Sequence, residues 1–244
     1  MALPKLDVPI YELYLPLSKK TVRHRPFLVK EEKLLLMAME SNDEKTVADS
    51  IKQIINNCCL DDINVDDLPV LDFEFFFLNL RARSIGEITN LKYKCNNDVQ
   101  DENNEEKKCN NIVEIEVNIL DIKPEIDEGH TNKIELSHNM GLVMKYPNFS
   151  TVQNINENTE IENIMKVILS CIEYIYDEDQ IYYKKDIGDK ELLEFVENLT
   201  HDQFMKVQNF FETLPKIKKQ LNFKCNKCKF EEKIIVEGIQ NFFV

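Results

Sequence analysis

Two cysteines spaced as Cys-x-x-Cys, Cys225 and Cys228, sit inside Leu221-Asn-Phe-Lys-Cys225-Asn-Lys-Cys228-Lys-Phe-Glu-Glu-Lys-Ile-Ile-Val236. One tight turn of this kind supplies two soft ligands, half of the tetrahedral set that zinc takes. The flanks alternate apolar and charged residues, which predicts a β-hairpin with the cysteine knuckle at its tip. An imperfect echo lies earlier. Leu91-Lys-Tyr-Lys-Cys95 runs into a polar loop, and Cys109-Asn-Asn-Ile-Val-Glu-Ile-Glu-Val117 leaves it. Strand pairing at the neck of that loop would bring Cys95 and Cys109 together. If the two hairpins meet, four thiolates close one structural zinc site with no open position for catalysis. Two features count against it: the first pair is too widely spaced for a knuckle, and its flanks are rich in asparagine. Three readings therefore stay open, namely a structural zinc ion, a metal-free relic of a zinc ribbon, and a redox dithiol. The last would want its Cys-x-x-Cys at a helix N-terminus, where the thiolate is stabilised; the context here is a hairpin.

Little else in the chain promises chemistry. The four histidines, His24, His130, His138 and His201, fall in no His-Glu-x-x-His or His-x-Glu arrangement. None of the five glycines belongs to a Gly-x-Gly-x-x-Gly or Walker pattern, and no Gly-x-Ser-x-Gly elbow occurs. The carboxylates are numerous and scattered, so no catalytic pair stands out. The expectation is a protein that is not an enzyme and has no small-molecule substrate. Adjacent Cys58-Cys59 and Cys171 lie on helical patterns and read as buried thiols. Seven cysteines is an odd number, and a reducing cytosol is the simplest compartment for them.

At 244 residues, 43% of them hydrophobic, the chain can bury a real core as one large domain or two small ones. No apolar run approaches the roughly 20 residues that span a bilayer, and the opening Met-Ala-Leu-Pro-Lys-Leu-Asp lacks the layout of a signal peptide. Against 30 basic residues stand 44 acidic ones, for a net charge of −14. That balance argues against nucleic acid or an anionic membrane as the main partner. Basic residues do cluster, at Lys19, Lys20, Arg23 and Arg25 and again from Lys216 to Lys229. Such clusters read as solvated edges or as docking patches for an acidic protein surface.

The elements that would carry these residues follow from periodicity. Residues 9–27 predict a short hairpin, with Ser18-Lys19-Lys20 as its turn. A helix follows from about Leu28 to Glu40, and Ser41-Asn-Asp-Glu44 opens another with Val47, Ile51, Ile54, Ile55 and Cys58 on one face. Asp72-Phe-Glu-Phe-Phe-Phe-Leu-Asn-Leu80 predicts a buried helix. From Glu87 the period changes to two: Ile88–Lys94 and Ile112–Ile119 read as antiparallel strands around a mobile polar loop, Asn96–Lys108. Shorter strands follow near Lys133–Leu136 and Leu142–Lys145. Ile161, Ile164, Met165, Ile168 and Ile172 make a helical stripe. A second helix covers Glu191–Leu199, and Thr200-His-Asp-Gln203 is a capping box opening a third, with Phe204, Val207, Phe211 and Leu214 on one face. The fold class is α+β: an N-terminal hairpin and helices (1–85), a small antiparallel β unit with the cysteine hairpins (86–150 and 216–244), the latter ending in a zinc-ribbon-like β-hairpin, and a helical insertion (151–215). The tail, Gly238-Ile-Gln-Asn-Phe-Phe-Val244, is apolar and either packs back on the core or inserts into a partner.

Several strings in fixed order carry a resemblance: Leu3-Pro-Lys-Leu-Asp-Val-Pro-Ile-Tyr-Glu-Leu13, Arg25-Pro-Phe-Leu-Val-Lys-Glu-Glu-Lys-Leu-Leu-Leu-Met-Ala38, Leu78-Asn-Leu-Arg-Ala-Arg-Ser-Ile-Gly86, Met144-Lys-Tyr-Pro147, Phe211-Glu-Thr-Leu-Pro-Lys-Ile217, and Glu237-Gly-Ile-Gln-Asn-Phe-Phe243. Together they resemble the baseplate hub protein family of T-even-like contractile-tailed phages. The resemblance implies a virus-encoded protein, made in the host cytoplasm, that helps build the tail baseplate hub as a structural subunit or an assembly chaperone. Its partners would be other hub proteins of the same phage, and it would reside in the host cytoplasm during assembly or in the finished tail. Function would then lie in surfaces, with Arg23, Arg25 and Phe27 on one and Ile239, Phe242 and Phe243 on the other. The alternative from another class is a zinc-ribbon accessory factor for transcription or nucleic-acid processing, which would want a basic face that a charge of −14 does not offer.

Overall fold

In a computed structural model, described over residues 7–41, 43–100, 106–153 and 160–239, the chain is mixed α and β. It opens with the antiparallel hairpin β1 (Tyr11–Leu15) and β2 (Lys20–His24). Alternation turns Leu13, Leu15 and Val22 inward. The backbone N–H groups of Leu17 and Ser18 in its turn donate to the fully buried Asp72 carboxylate, at 3.0 and 2.6 Å. Helix α1 (Val29–Glu40) starts where the Glu31 side chain accepts the Leu28 N–H. Helix α2 (Glu44–Cys58) starts where Asp43 accepts the Thr46 N–H, a side-chain cap for an otherwise orphan donor. Pro69 precedes α3 (Val70–Ser84). Helix α3 buries Phe73, Phe76, Phe77, Leu78 and Leu80 on several sides, as a helix surrounded by other elements must.

Next come β3 (Ile88–Lys94), β4 (Asp98–Gln100), β5 (Glu106–Lys108) and β6 (Ile112–Asn118). The ladder β3–β6 runs from Ile88↔Asn118 to Lys94↔Ile112, and β4–β5 form a smaller hairpin inside it. The described parts of the stretch expected to be a mobile loop are therefore paired strands, with Lys108 Nζ 2.8 Å from Asp98 Oδ2. Strand β7 (Pro124–Glu125) leads to β8 (Lys133–Glu135) and β9 (Gly141–Met144), then to helices α4 (Phe149–Gln153) and α5 (Glu160–Cys171). Strand β10 (Ile172–Tyr176) follows α5 without a break, so Ile172 belongs to a strand rather than to the helical stripe. Strand β11 (Ile181–Tyr183), helices α6 (Asp189–Glu197) and α7 (His201–Glu212), and the hairpin β12 (Lys216–Lys224) with β13 (Glu231–Glu237) complete the chain. Helix α7 has the expected capping box, but it buries Val207 and Phe210, leaving Phe211 half-buried.

Among the described residues, two sheets hold more than two strands. One has the order β11-β10-β9-β8, the other β13-β12-β7. Gly141 is required in the first, because a Cβ there would collide with the Ile134 carbonyl oxygen and the Tyr176 ring. The second sheet matters for the cysteines: β7, which leaves the first hairpin, pairs with β12 of the second through Lys216↔Glu125 and Ile217↔Pro124. Among the described residues, apolar side chains gather in three clusters. The largest surrounds α3 and draws in Leu91 and Val117 of the first cysteine hairpin, Leu221 and Val236 of the second, and Ile239. Another joins β8, β9 and β10 to α5, α6 and α7. The smallest lies under the cysteines, with Phe223 at its centre and Tyr93, Val99, Val113, Phe230 and Ile234 around it.

Candidate metal centre

The two ladders place their cysteines at the same end. Cys95 follows β3, Cys109 precedes β6, and Cys225 follows β12. The sulfurs of Cys95, Cys109, Cys225 and Cys228 all lie within 4.8 Å of one another. Cys95 Sγ is 3.6 Å from Cys228 Sγ, and Cys109 Sγ is 3.8 Å from Cys225 Sγ. Four sulfurs placed 2.3 Å from a tetrahedral zinc ion stand about 3.8 Å apart, whereas a disulfide would need roughly 2.05 Å. All four are free thiols, three of them buried. The donor set, its spacing and its burial thus fit a closed tetrathiolate metal, with every ligand supplied by the chain.

The backbone around the first pair matches that of the tight turn, a likeness that sequence spacing hides. In the tight turn, the Cys225 N–H donates to the Phe230 carbonyl at 2.8 Å, and the Lys229 N–H to the Cys225 carbonyl at 3.0 Å. In the wide one, the Cys95 N–H donates to the Asn111 carbonyl at 2.8 Å, and the Asn110 N–H to the Cys95 carbonyl at 3.0 Å. The residue after the second cysteine is left-handed in both, with φ of 65° at Lys229 and 53° at Asn110. Asparagine tolerates that region better than most residues. The β4–β5 hairpin is inserted between the first two ligands, and a Cys109 N–H bond to the Asn97 carbonyl at 2.9 Å closes its base. The two cysteine turns are thus alike in backbone, and one has been opened by a hairpin.

Backbone donors also reach the sulfurs. The N–H groups of Cys228 and Lys227 point at Cys225 Sγ and draw that thiol down to about 6, although burial pushes the other way. Burial pushes Cys95 up to about 12 against an N–H bond from Asn97. At Cys109 the Asn111 N–H pulls downward, but burial and the sulfurs of Cys228 and Cys225 outweigh it and the thiol lies above its ordinary value. One sulfur is therefore more readily ionised than its neighbours, and a cation bound among the four would favour the thiolate form of all of them. Cys58, Cys59 and Cys171 are separate from this group; burial raises each of their thiols, and Cys58 reaches about 11.

The other residues singled out in the sequence lie elsewhere. Arg23 is a surface residue, bonded through its guanidinium to Asp61 at 2.7 Å. Arg25 is mostly buried and paired at 3.0 Å with Glu31, a carboxylate that is itself 1% exposed. Burial alone would raise Glu31, but Arg25 and the Leu28 N–H hold it below the usual carboxylate range. Phe27 (7% exposed) and Ile239 (8%) belong to the large core, with their side chains packed inward. Phe242 and Phe243 lie outside the described residues. Sequence reasoning also missed an exposed apolar face on α1, where Val29, Leu36 and Met37 are all more than half exposed. The signal was available: only Glu31, Leu35 and Ala38 of that helix are buried, and a run as apolar as Leu34–Met39 cannot hide all its residues on one side.

The chain belongs to the T4 bacteriophage base plate protein family, whose model matches residues 8–244. Within it, the chain is similar to the baseplate hub assembly protein gp26 of Enterobacteria phage T4, being 21% identical over 237 residues that cover 96% of this chain and 97% of that protein. No solved structure matches it.

Proposed function

We propose that this chain takes part in assembling the tail baseplate hub by binding other hub proteins in the host cytoplasm, without catalysing a reaction. The observation that carries this reading is the near end-to-end similarity to a baseplate hub assembly protein. An acidic chain with no catalytic motif and an exposed apolar helix face agrees with it. The transcription-factor alternative has no comparable support. Partner contacts fall on the Val29–Leu36–Met37 face of α1 and on the tail residues Phe242 and Phe243, with Arg23 at the rim of the first. The division into 1–85, 86–150 with 216–244, and 151–215 remains part of the proposal. The separate apolar cluster holding Ile168, Leu192 and Phe210 supports the third unit, although Ile134, Leu142 and Met144 share it.

The metal belongs to the same proposal. A single zinc ion held by Cys95, Cys109, Cys225 and Cys228 has a structural role, clamping two zinc-ribbon-like hairpins that meet far apart in sequence. Mass spectrometry of purified, DNA-filled virions separates the two forms of the reading. Stoichiometric presence makes the protein a hub subunit; absence from virions with abundance in infected-cell lysate makes it a chaperone that releases its client. Affinity capture of the tagged chain from infected cells tests the reading itself. Recovery of baseplate hub proteins, lost with Leu36→Asp, is expected, and capture without any hub protein overturns it.

A further inference from the structure

Two asparagines have more contact with the sulfurs than any turn requires. Asn97 follows Cys95 by two positions, and its backbone N–H points at Cys95 Sγ. Its side-chain Nδ2 reaches the other hairpin, 3.7 Å from Cys228 Sγ. Asn111 follows Cys109 by two positions and does the same: its backbone N–H points at Cys109 Sγ, and its Nδ2 lies 3.6 Å from Cys225 Sγ. That amide is further oriented by Asn226 Oδ1 at 2.6 Å. Each asparagine therefore offers one donor to a sulfur of its own hairpin and one to a sulfur of the partner hairpin, 131 and 114 residues away in the chain. Neither has the left-handed backbone that accounts for Asn110, so turn geometry does not explain them. The asparagine-rich flanks that weakened the metal reading in the sequence are, in space, arranged around the sulfurs.

A divalent ion held by four thiolates carries a net charge of −2, concentrated on sulfur in a buried place. Donors aimed at those sulfurs spread that charge and hold each ligand's orientation, which is how outer groups tune metal sites. We propose that Asn97 and Asn111 are the positioning residues of this centre, paired amides that stabilise the tetrathiolate and lock the two hairpins in register around a thiophilic divalent metal. The proposal rests on the metal reading above.

The test titrates Zn²⁺ and, as a spectroscopic probe, Co²⁺ into the full-length, metal-free chain, with a chromophoric chelator as competitor. The wild type is expected to bind one equivalent with the intense sulfur-to-cobalt charge-transfer bands of a tetrathiolate. Asn97→Ala and Asn111→Ala should each weaken binding about tenfold, and the double variant about a hundredfold. At saturating Co²⁺ their charge-transfer bands should move to lower energy, because unprotected sulfurs are richer in electrons. Asn111→Asp, of the same shape but with a carboxylate in place of the amide, should lose more than the alanine variant. Asn96→Ala, an exposed neighbour, should change neither readout. The saturated spectrum is read only from protein that keeps wild-type circular dichroism, so misfolding cannot imitate the effect. Wild-type affinity and spectrum in both alanine variants would overturn the role of the asparagines and leave the metal reading standing. A wild type that takes up neither metal would overturn both.

Discussion

Helix α3 and the cysteine end of the molecule are held together by different means. Around α3, Phe73, Phe76, Phe77, Leu78 and Leu80 are packed by side chains from α1, α2, both N-terminal strands and the roots of both cysteine hairpins. At the hairpin tips, among the described residues, the only fully enclosed apolar side chain besides the cysteines is Phe223, and most of its neighbours are partly exposed. The first region buries enough apolar surface to be stable by packing. The second is the size of a mini-domain core, which in nature takes a metal or disulfides to stand. What differs is scale, and the four sulfurs sit where packing alone is thinnest.

The largest effect should come from the proposed metal. A structural zinc in a small domain binds with an apparent ~10–16 kcal/mol, and that binding energy is folding energy for the elements it joins. Chelation, or Cys225→Ser, should therefore strip amide-exchange protection from 91–117 and 221–236 while residues 51–55 and 73–80 keep theirs. Simultaneous loss everywhere would show that the two regions are one cooperative unit. Next in size is Phe76→Ala, at a site with no exposure. It should cost about 3–5 kcal/mol in urea denaturation yet leave any metal uptake as it is in the wild type. Asp72→Ala removes the acceptor for the Leu17 and Ser18 N–H groups and should cost about 2–4 kcal/mol. Asp72→Asn, which keeps one acceptor, should recover part of that.

The smallest effect concerns the seam between the regions. Glu74 on α3 accepts the Ile239 N–H just beyond β13, lines a cavity of about 260 Å³ with Leu17, Tyr146 and Gly238, and stands near Glu237. Burial raises its carboxyl from 4.5 to about 7. An acid raised on folding stabilises the fold most below its ordinary value, and that contribution is lost as pH climbs through about 7. Glu74→Gln should thus be more stable than the wild type at pH 8, by ~2 kcal/mol, and no more stable at pH 4. An unfolding difference that does not change with pH would refute this.

The sequence announced most elements wherever one period ran long enough. The alternation of Tyr11, Leu13 and Leu15 announced the first hairpin, and Thr200 with Gln203 announced the start of α7. It failed where two periods overlap. Ile172 continues the helical spacing of Ile161, Ile164 and Ile168, so the strand that begins there was absorbed into a helix. It failed again where pairing carries no apolar signature, as in β4–β5. At the cysteine cluster residue types were legible but geometry was not. A knuckle is defined by backbone hydrogen bonds and a left-handed residue after its second cysteine, and those survive an insertion that spacing rules do not. The burial of Phe27 and Ile239 was not legible either, because apolar residues beside charged ones look alike whether they face solvent or the core.

The span between the two halves of the cysteine cluster also has a meaning in time. Cys109 and Cys225 are 116 positions apart, and Cys95 and Cys228 are 133. At 5–20 residues per second a ribosome needs on the order of ten seconds to travel that far. For that interval the nascent chain displays two thiols and two asparagines whose counterparts have not yet been made. The β4–β5 hairpin and the Cys109–Asn97 bond at its base are local and can form at once, so the first half of the cluster can wait already shaped. The four sulfurs can come together only once Cys225 and Cys228 have been made.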